Sequence, residues 1–275
     1  MVDIHCHIVP GVDDGSTSVE MSLEMIAAAK RSGVTAILTT PHIRGRAEDV
    51  VVHSFHKENF QKVLDTRPDI DLYLGCEVRV TPETHDIISH SEFTSNERSK
   101  YILLELEFDK VPAYFSQLIF EYRLAGITPI VAHPERNVGV LQNPEYAIDF
   151  VRQGALLQVT NGSVLGELGE SFQRCAINLI ECGLVSFLAS DAHNISTRPF
   201  TNWSETYEFV QNLEKKGNSL LPINADYLCT HNPFAVCQGT PIPSIELDEP
   251  LLSRIRSRLL QATEPTVKRK RFFFM

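Results

Sequence analysis

The chain has 275 residues, 43% of them apolar and 22% charged, and carries a formal net charge of −10. That length fits one large α/β domain or two small ones, and the acidic balance lacks the basic stripe of a nucleic-acid surface, so no nucleic-acid partner is expected. No apolar run reaches the length of a membrane span and no signal peptide pattern opens the chain, so a cytoplasmic location is expected.

The first segment, Val2 to His7, reads as a strand and contains Asp3-Ile4-His5-Cys6-His7. Residues two apart in a strand share a face, so His5 and His7 aim at one spot while Cys6 faces the core. A helix follows, with Thr17 as its cap, Glu20 completing a capping box, and Val19, Leu23, Ile26 and Ala27 as the apolar face. Gly33 supplies its stop, and a strand from Thr35 to Thr39 runs into Pro41-His42.

Further strands are expected at Asp71 to Gly75, Tyr101 to Leu106, Thr128 to Val131, Ala155 to Val159 and Val185 to Ala189. Helices are expected over 51–65, 112–125, 144–153, 170–182 and 203–216, with Gly126, Gly154, Gly183 and Gly217 just beyond four of them, where left-handed caps belong. Alternating strands and helices indicate βα units. Ligand-type residues recur at the strand ends, which is where β/α barrels carry their chemistry.

Nine residues form the candidate ligand set: His5, His7, Asp14, His42, Glu77, Glu105, His133, Asp191 and His193. Imidazole and carboxylate without thiolate suit manganese, iron, zinc or related divalent ions, and nine donors exceed what one ion uses. His53, His56, His85, His90 and His231 do not share the strand-end placement and read as surface or loop residues. The six cysteines have no zinc-ribbon spacing and read as reduced thiols, and the triplets at Asn161, Asn194 and Asn202 read as chance glycosylation matches.

The opening Met1-Val2-Asp3-Ile4-His5-Cys6-His7-Ile8-Val9-Pro10-Gly11-Val12-Asp13-Asp14-Gly15 resembles that of the bacterial PHP-type protein-tyrosine phosphatases, manganese-dependent enzymes of capsule and exopolysaccharide gene clusters. The likeness continues through Thr40-Pro41-His42, Gly75-Cys76-Glu77, Ile102 to Leu106, Val131-Ala132-His133-Pro134-Glu135-Arg136, Gln158 to Ser163 and Ser190-Asp191-Ala192-His193, and covers the chain to about residue 240. It implies a distorted (β/α)7 barrel and three manganese ions, with iron or zinc as alternatives. One ion would use His5, His7, Glu77 and Asp191, a second Glu77, Glu105 and His133, and a third Asp14, His42 and His193. Arg136 and Arg198 would contact phosphate. Glu107 stands where the family usually has proline and is expected to have little effect on metal binding.

The implied reaction is phosphotyrosine hydrolysis by metal-activated hydroxide, on a tyrosine autokinase tail that controls polysaccharide export. A small-molecule phosphoesterase of the same superfamily, such as a histidinol-phosphate phosphatase, shares the metal residues and is the alternative. A cysteine-dependent phosphatase needs Cys-x5-Arg, and none of the six cysteines has arginine six positions on. An amidohydrolase would need a strand-end lysine that is absent from the set, and a metal-binding regulator without turnover is the remaining rival.

Residues 1–240 form the expected phosphatase domain, and 241–275 a proline-punctuated acidic linker, a helix from Leu251 to Ala262 and a basic-aromatic tail. That tail, Lys268 to Met275, is either solvated or makes a weak peripheral membrane contact through four basic residues and three phenylalanines.

Overall fold

A computed structural model of the chain describes residues 1–98, 100–200 and 203–263. The strands are short and parallel: β1 (Val2–Asp3), β2 (Ala36–Thr39), β3 (His42–Ile43), β4 (Asp71–Leu74), β5 (Glu77–Arg79), β6 (Tyr101–Glu105), β7 (Thr128–Ala132), β8 (Leu156–Thr160) and β9 (Val185–Ala189). They form a three-stranded sheet in the order β1-β2-β4 and a six-stranded sheet in the order β3-β5-β6-β7-β8-β9. The helices are α1 (Val19–Arg31), α2 (Asp49–Leu64), α3 (Phe115–Leu124), α4 (Val138–Gln142), α5 (Glu145–Arg152), α6 (Asn161–Leu165), α7 (Glu170–Glu181), α8 (Trp203–Lys216), α9 (Asn232–Gln238) and α10 (Glu249–Thr263). The fold is α/β with parallel sheets.

Strand alternation sorts side chains into two cores. Ile102, Leu104 and Val131 join the cluster shared with the helices, whereas Tyr101, Leu103, Ile130 and Ala132 join an inner cluster with Val2, Ile4, Leu38 and Phe187. Burial on both faces is why these segments read as continuous apolar runs. Helix α9 adds Val236 and Cys237 to the inner cluster.

The expected strands at 35–39 and 71–75 form as β2 and β4, and each is followed by a short further strand that was not expected: β3 beyond the break at Thr40-Pro41 and β5 beyond the break at Gly75-Cys76, so each segment contributes to both sheets. Pro41 has no backbone N–H to donate at the first break. Hydrogen bonds carry the chain across: Thr40 N to Cys6 O at 2.8 Å, Gly75 N to Thr39 O at 2.8 Å and Glu77 N to Pro41 O at 3.1 Å. The expected first strand stops at Asp3, because the Asp3 carboxylate accepts from the backbone N–H of His5 at 3.1 Å and of Ser190 at 3.2 Å in place of a ladder. Beyond it, Cys6 bridges to Ala192, and Cys6 does pack in the core, opposite its histidine neighbours.

Other expectations need correcting. The cap of α1 is Ser18, whose hydroxyl accepts from Met21 N at 3.2 Å; Thr17 Oγ1 instead contacts Met21 Sδ at 3.5 Å, so the Thr17–Glu20 capping box does not form. His53 and His56 are neither surface nor loop residues: both lie on the inner face of α2 and are buried. The four expected glycine stops all adopt positive φ, from 63° at Gly217 to 90° at Gly154.

All six cysteines are free. Helix α10 packs on the body through Leu252, Ile255 and Leu259, and Arg256 pairs with Glu145 and Arg258 with Glu181. The basic-aromatic tail lies outside the described residues. Among the described residues no helix is long and apolar enough to cross a membrane.

Candidate metal centre

The ligand-type residues sit at or just beyond the C-terminal ends of the strands. His5 and His7 follow β1, Glu105 ends β6, His133 follows β7, and Asp191 and His193 follow β9. His42 and Glu77 open β3 and β5, immediately after the two strand breaks, and are paired in register. The breaks therefore turn both side chains toward the histidines of the first segment.

Three overlapping groups result, each with ligand atoms within 4.8 Å of one another: His5, His7, Glu77 and Asp191; His7, Asp14, His42 and His193; and His42, Glu77 and Glu105. Glu77 Oε2 lies 3.1 Å from His5 Nε2, 3.3 Å from His7 Nε2 and 3.1 Å from His42 Nδ1. Asp191 Oδ1 is 3.4 Å from His5 Nε2 and 3.5 Å from His7 Nε2. Asp14 Oδ1, at the open mouth, is 3.4 Å from both His42 Nε2 and His193 Nε2.

Glu105 and His133 are arranged differently from the expected set. His133 Nε2 bonds Glu77 Oε1 at 3.0 Å, while Glu105 groups with His42 and Glu77 and bonds Arg79 at 3.0 Å. Glu107 pairs with Lys110 at 2.8 Å.

The residues fit divalent ions. His5 Nε2, His7 Nε2, His193 Nε2 and Glu77 Oε2 are buried and have no hydrogen-bond partner, although they converge. Buried polar atoms without partners are costly, and several aimed at one small space are explained by cations between them. The donors are imidazole and carboxylate throughout, the set preferred by manganese, iron or zinc.

The surroundings fix the charge of the two carboxylates and of His193. Burial alone would raise the Glu77 carboxyl, but His5, His133 and His7 outweigh it and hold Glu77 well below the usual carboxylate range. Asp191 is held down likewise against its burial, by His5 first and then His7. Burial and then the neighbouring His7 push His193 down to about 3, which keeps its ring neutral and its lone pair free. Both carboxylates are thus charged and His193 is available as a donor.

Two arginines border the group. Arg136 and Arg198 both donate to Asp191 Oδ2, the latter at 3.0 Å, and Arg198 Nη1 stands 3.5 Å from Asp14 Oδ2. The Asp191 and His133 backbones hold left-handed φ values of 54° and 33°, uncommon for residues with a Cβ. Such conformations cluster at functional sites, where surrounding structure enforces them. Gly15 allows the loop after β1 to fold over His7, since a Cβ there would come within 2.3 Å of the His7 carbonyl oxygen.

The residues that hold the ligands were not evident from sequence. Asp13 Oδ2 takes His7 Nδ1 at 2.8 Å, and Gln158 Oε1 takes His5 Nδ1 at 2.8 Å, leaving each Nε2 facing inward. Gln158 is the polar residue in an otherwise apolar stretch of β8, a signal that could have marked it. Asp13 and Asp14 are adjacent in a loop, and spacing does not assign their separate roles.

Comparison with known proteins gives concordant matches. The family model for capsular polysaccharide synthesis proteins CpsB/CapC matches residues 1–234. The chain is 35% identical over its whole length to the whole of the tyrosine-protein phosphatase YwqE of Bacillus subtilis. It is also 35% identical, over 73% of this chain and 80% of the relative, to the putative tyrosine-protein phosphatase CapC of Staphylococcus aureus. A crystal structure from work on YwqE of Bacillus subtilis and CpsB of Streptococcus pneumoniae, described as metal-dependent tyrosine phosphatases, superposes with a TM-score of 0.75 at 32% identity, covering 89% of this chain and 97% of that one. A β-aspartyl dipeptidase from Fervidobacterium islandicum, at 15% identity, 90% and 76% coverage and a TM-score of 0.52, shares the fold alone.

Proposed function

Because the chain belongs to the CpsB/CapC family of capsular polysaccharide synthesis proteins, we propose that it is a metal-dependent tyrosine-protein phosphatase. The observation that carries this reading is the convergence of unpartnered imidazole nitrogens and a buried carboxylate beside two arginines. A phosphate monoester needs both kinds of group: cations at the reacting centre and guanidinium forks for its outer oxygens.

On this reading the two sheets are arcs of one distorted seven-stranded barrel. Support comes from the two broken strands that serve both sheets and from the bonds His7 N to Ala192 O and Asp191 N to His5 O, each 2.8 Å, which link the first and last strand segments. Three ions would lie at its strand ends. His5, His7, Glu77 and Asp191 would hold one, Asp14, His42 and His193 another, and Glu77, Glu105 and His133 a third, with manganese the favoured metal and Glu77 shared.

Divalent ions held there supply Lewis acidity and an activated water for in-line attack on phosphorus. The chain supplies the rest. Asp13 and Gln158 orient His7 and His5 through their outer nitrogens. Arg136 and Arg198, now satisfied by Asp191, would turn part of their donor fork to the nonbridging phosphoryl oxygens. Tyrosine, with a pKa of about 10, leaves far more readily than an alkyl alcohol.

The substrate we favour is the phosphorylated tail of a membrane-tethered tyrosine autokinase, met on the cytoplasmic side, and the basic-aromatic stretch at 268–275 would add a weak membrane contact. The test is steady-state hydrolysis after metal removal and resupply of manganese, iron, zinc or magnesium. Manganese-dependent turnover of a phosphotyrosine peptide well above that of histidinol phosphate is expected. Faster hydrolysis of histidinol phosphate would overturn the assignment in favour of a small-molecule phosphoesterase.

A further inference from the structure

A second group of donors lies away from the centre just described. His53 and His56, one turn apart on α2, and Cys76, at the break between β4 and β5, bring ligand atoms within 4.8 Å of one another, and all three residues are buried. His53 is held from both sides: its Nε2 lies 3.1 Å from Glu97 Oε1 and its Nδ1 3.2 Å from Cys76 Sγ. A carboxylate on Nε2 favours the tautomer protonated there, which leaves the Nδ1 lone pair facing sulfur.

His56 is the anomaly. Its side chain is fully buried, yet neither ring nitrogen has a hydrogen-bond partner. Burial, reinforced by His53, pushes it down to about 4, so the ring is neutral and offers a lone pair to the group. Native interiors rarely leave both nitrogens of an imidazole unused, and an apolar side chain would fill such a space at lower cost.

We propose that His53, His56 and Cys76 form a second metal site, separate from the first, for one divalent ion of the thiolate-preferring kind such as zinc. One sulfur and two imidazole nitrogens match the three-ligand zinc sites that keep a fourth position for another donor. The soft sulfur distinguishes this site from the main centre, whose donors are all nitrogen and oxygen. Glu97, against the outer nitrogen of His53, plays the orienting part that carboxylates commonly play behind metal-bound histidine. On binding, the Cys76 S–H bond breaks, a sulfur–metal bond forms and the proton leaves to solvent. The ion would pin α2 to the β4–β5 break one residue before Glu77. The proposal does not depend on the phosphatase reading.

The test uses cobalt(II) as the probe on the full chain after metal removal. Cobalt bound by thiolate gives an intense near-ultraviolet charge-transfer band, which a nitrogen and oxygen site cannot produce. Wild type should show the band at an intensity corresponding to one thiolate-bound cobalt per chain once cobalt saturates all sites, and zinc should abolish it. Cys76→Ser and His56→Gln should each reduce it at least tenfold while far-ultraviolet circular dichroism confirms folding. Cys175→Ser and His193→Ala should retain it. No band in wild type at saturating cobalt, or an undiminished band in folded Cys76→Ser, overturns the site. The wild-type titration decides the matter even where a variant fails to fold.

Discussion

Asp13 Oδ2 lies 2.8 Å from His7 Nδ1 and also accepts the backbone N–H of His42 at 3.1 Å, so one carboxylate positions two of the candidate ligands. Its other oxygen accepts Gly15 N at 2.9 Å. Against its burial, His7 holds this carboxyl below the usual range, so it stays charged. Asp13→Ala should weaken metal affinity roughly 10- to 100-fold, the usual cost of losing such an orienting group, and Asp13→Asn should cost less. Competition against a calibrated chelator measures this, and unchanged affinity would remove Asp13 from the positioning role.

Arg136 and Arg198 meet on a single oxygen of Asp191. Truncating either to alanine should lower kcat/KM for a phosphotyrosine peptide about 100-fold, comparable to removing one preorganised donor from a transition state. Metal content should stay near wild type. Arg136→Lys should recover little, because lysine lacks the planar fork. Parallel loss of metal and activity would instead mean that the arginines act by holding Asp191.

Asp3 is buried beneath the centre, and burial raises its carboxyl to about 6 despite its hydrogen bonds to Ser190 and His5. The folded value exceeds the unfolded one of 3.8. Its contribution to stability is therefore complete below pH 3.8 and lost as pH rises through about 6. Asp3→Asn abolishes that dependence. The stability of the variant relative to wild type should grow between acidic and neutral pH by up to about 3 kcal/mol, because each tenfold change in proton affinity is worth about 1.4 kcal/mol. Urea unfolding of both proteins across this range reads the difference directly, and parallel curves would contradict it.

Ile255 is fully buried where α10 meets the main core. Ile255→Ala should lower unfolding free energy by about 2–5 kcal/mol. Metal stoichiometry in the folded fraction should not change, since α10 bears no ligand-type residue of the centre. Chemical denaturation paired with metal analysis separates the two effects.

Much of this architecture was legible in the sequence because local and long-range signals agreed. The glycines at 126, 154, 183 and 217 mark helix ends, since their left-handed backbone suits glycine best. The residues at 5, 7, 42, 77, 191 and 193 fall at strand ends and are brought into shared groups, and His133 joins them through its bond to Glu77. The broken strands were not legible, because an apolar run says nothing about which sheet its hydrogen bonds join. Helix α2 misled for another reason: it exposes Val51, Val52 and Phe55 while burying His53, His56 and Asn59, reversing the usual sorting by polarity over that stretch. The Thr17–Ser18 and Asp13–Asp14 pairs failed alike, since neighbouring residues of similar chemistry compete for one role and only backbone geometry chooses.

The docking of α10 bears on biosynthesis. Leu252, Ile255 and Leu259 join the same apolar cluster as Cys6 and Ile8 from the opening segment. A ribosome therefore delivers all nine described strands before the helix that packs over this cluster has emerged. Until then the nascent chain displays an uncovered greasy face, a time when chaperone capture and self-association compete with folding.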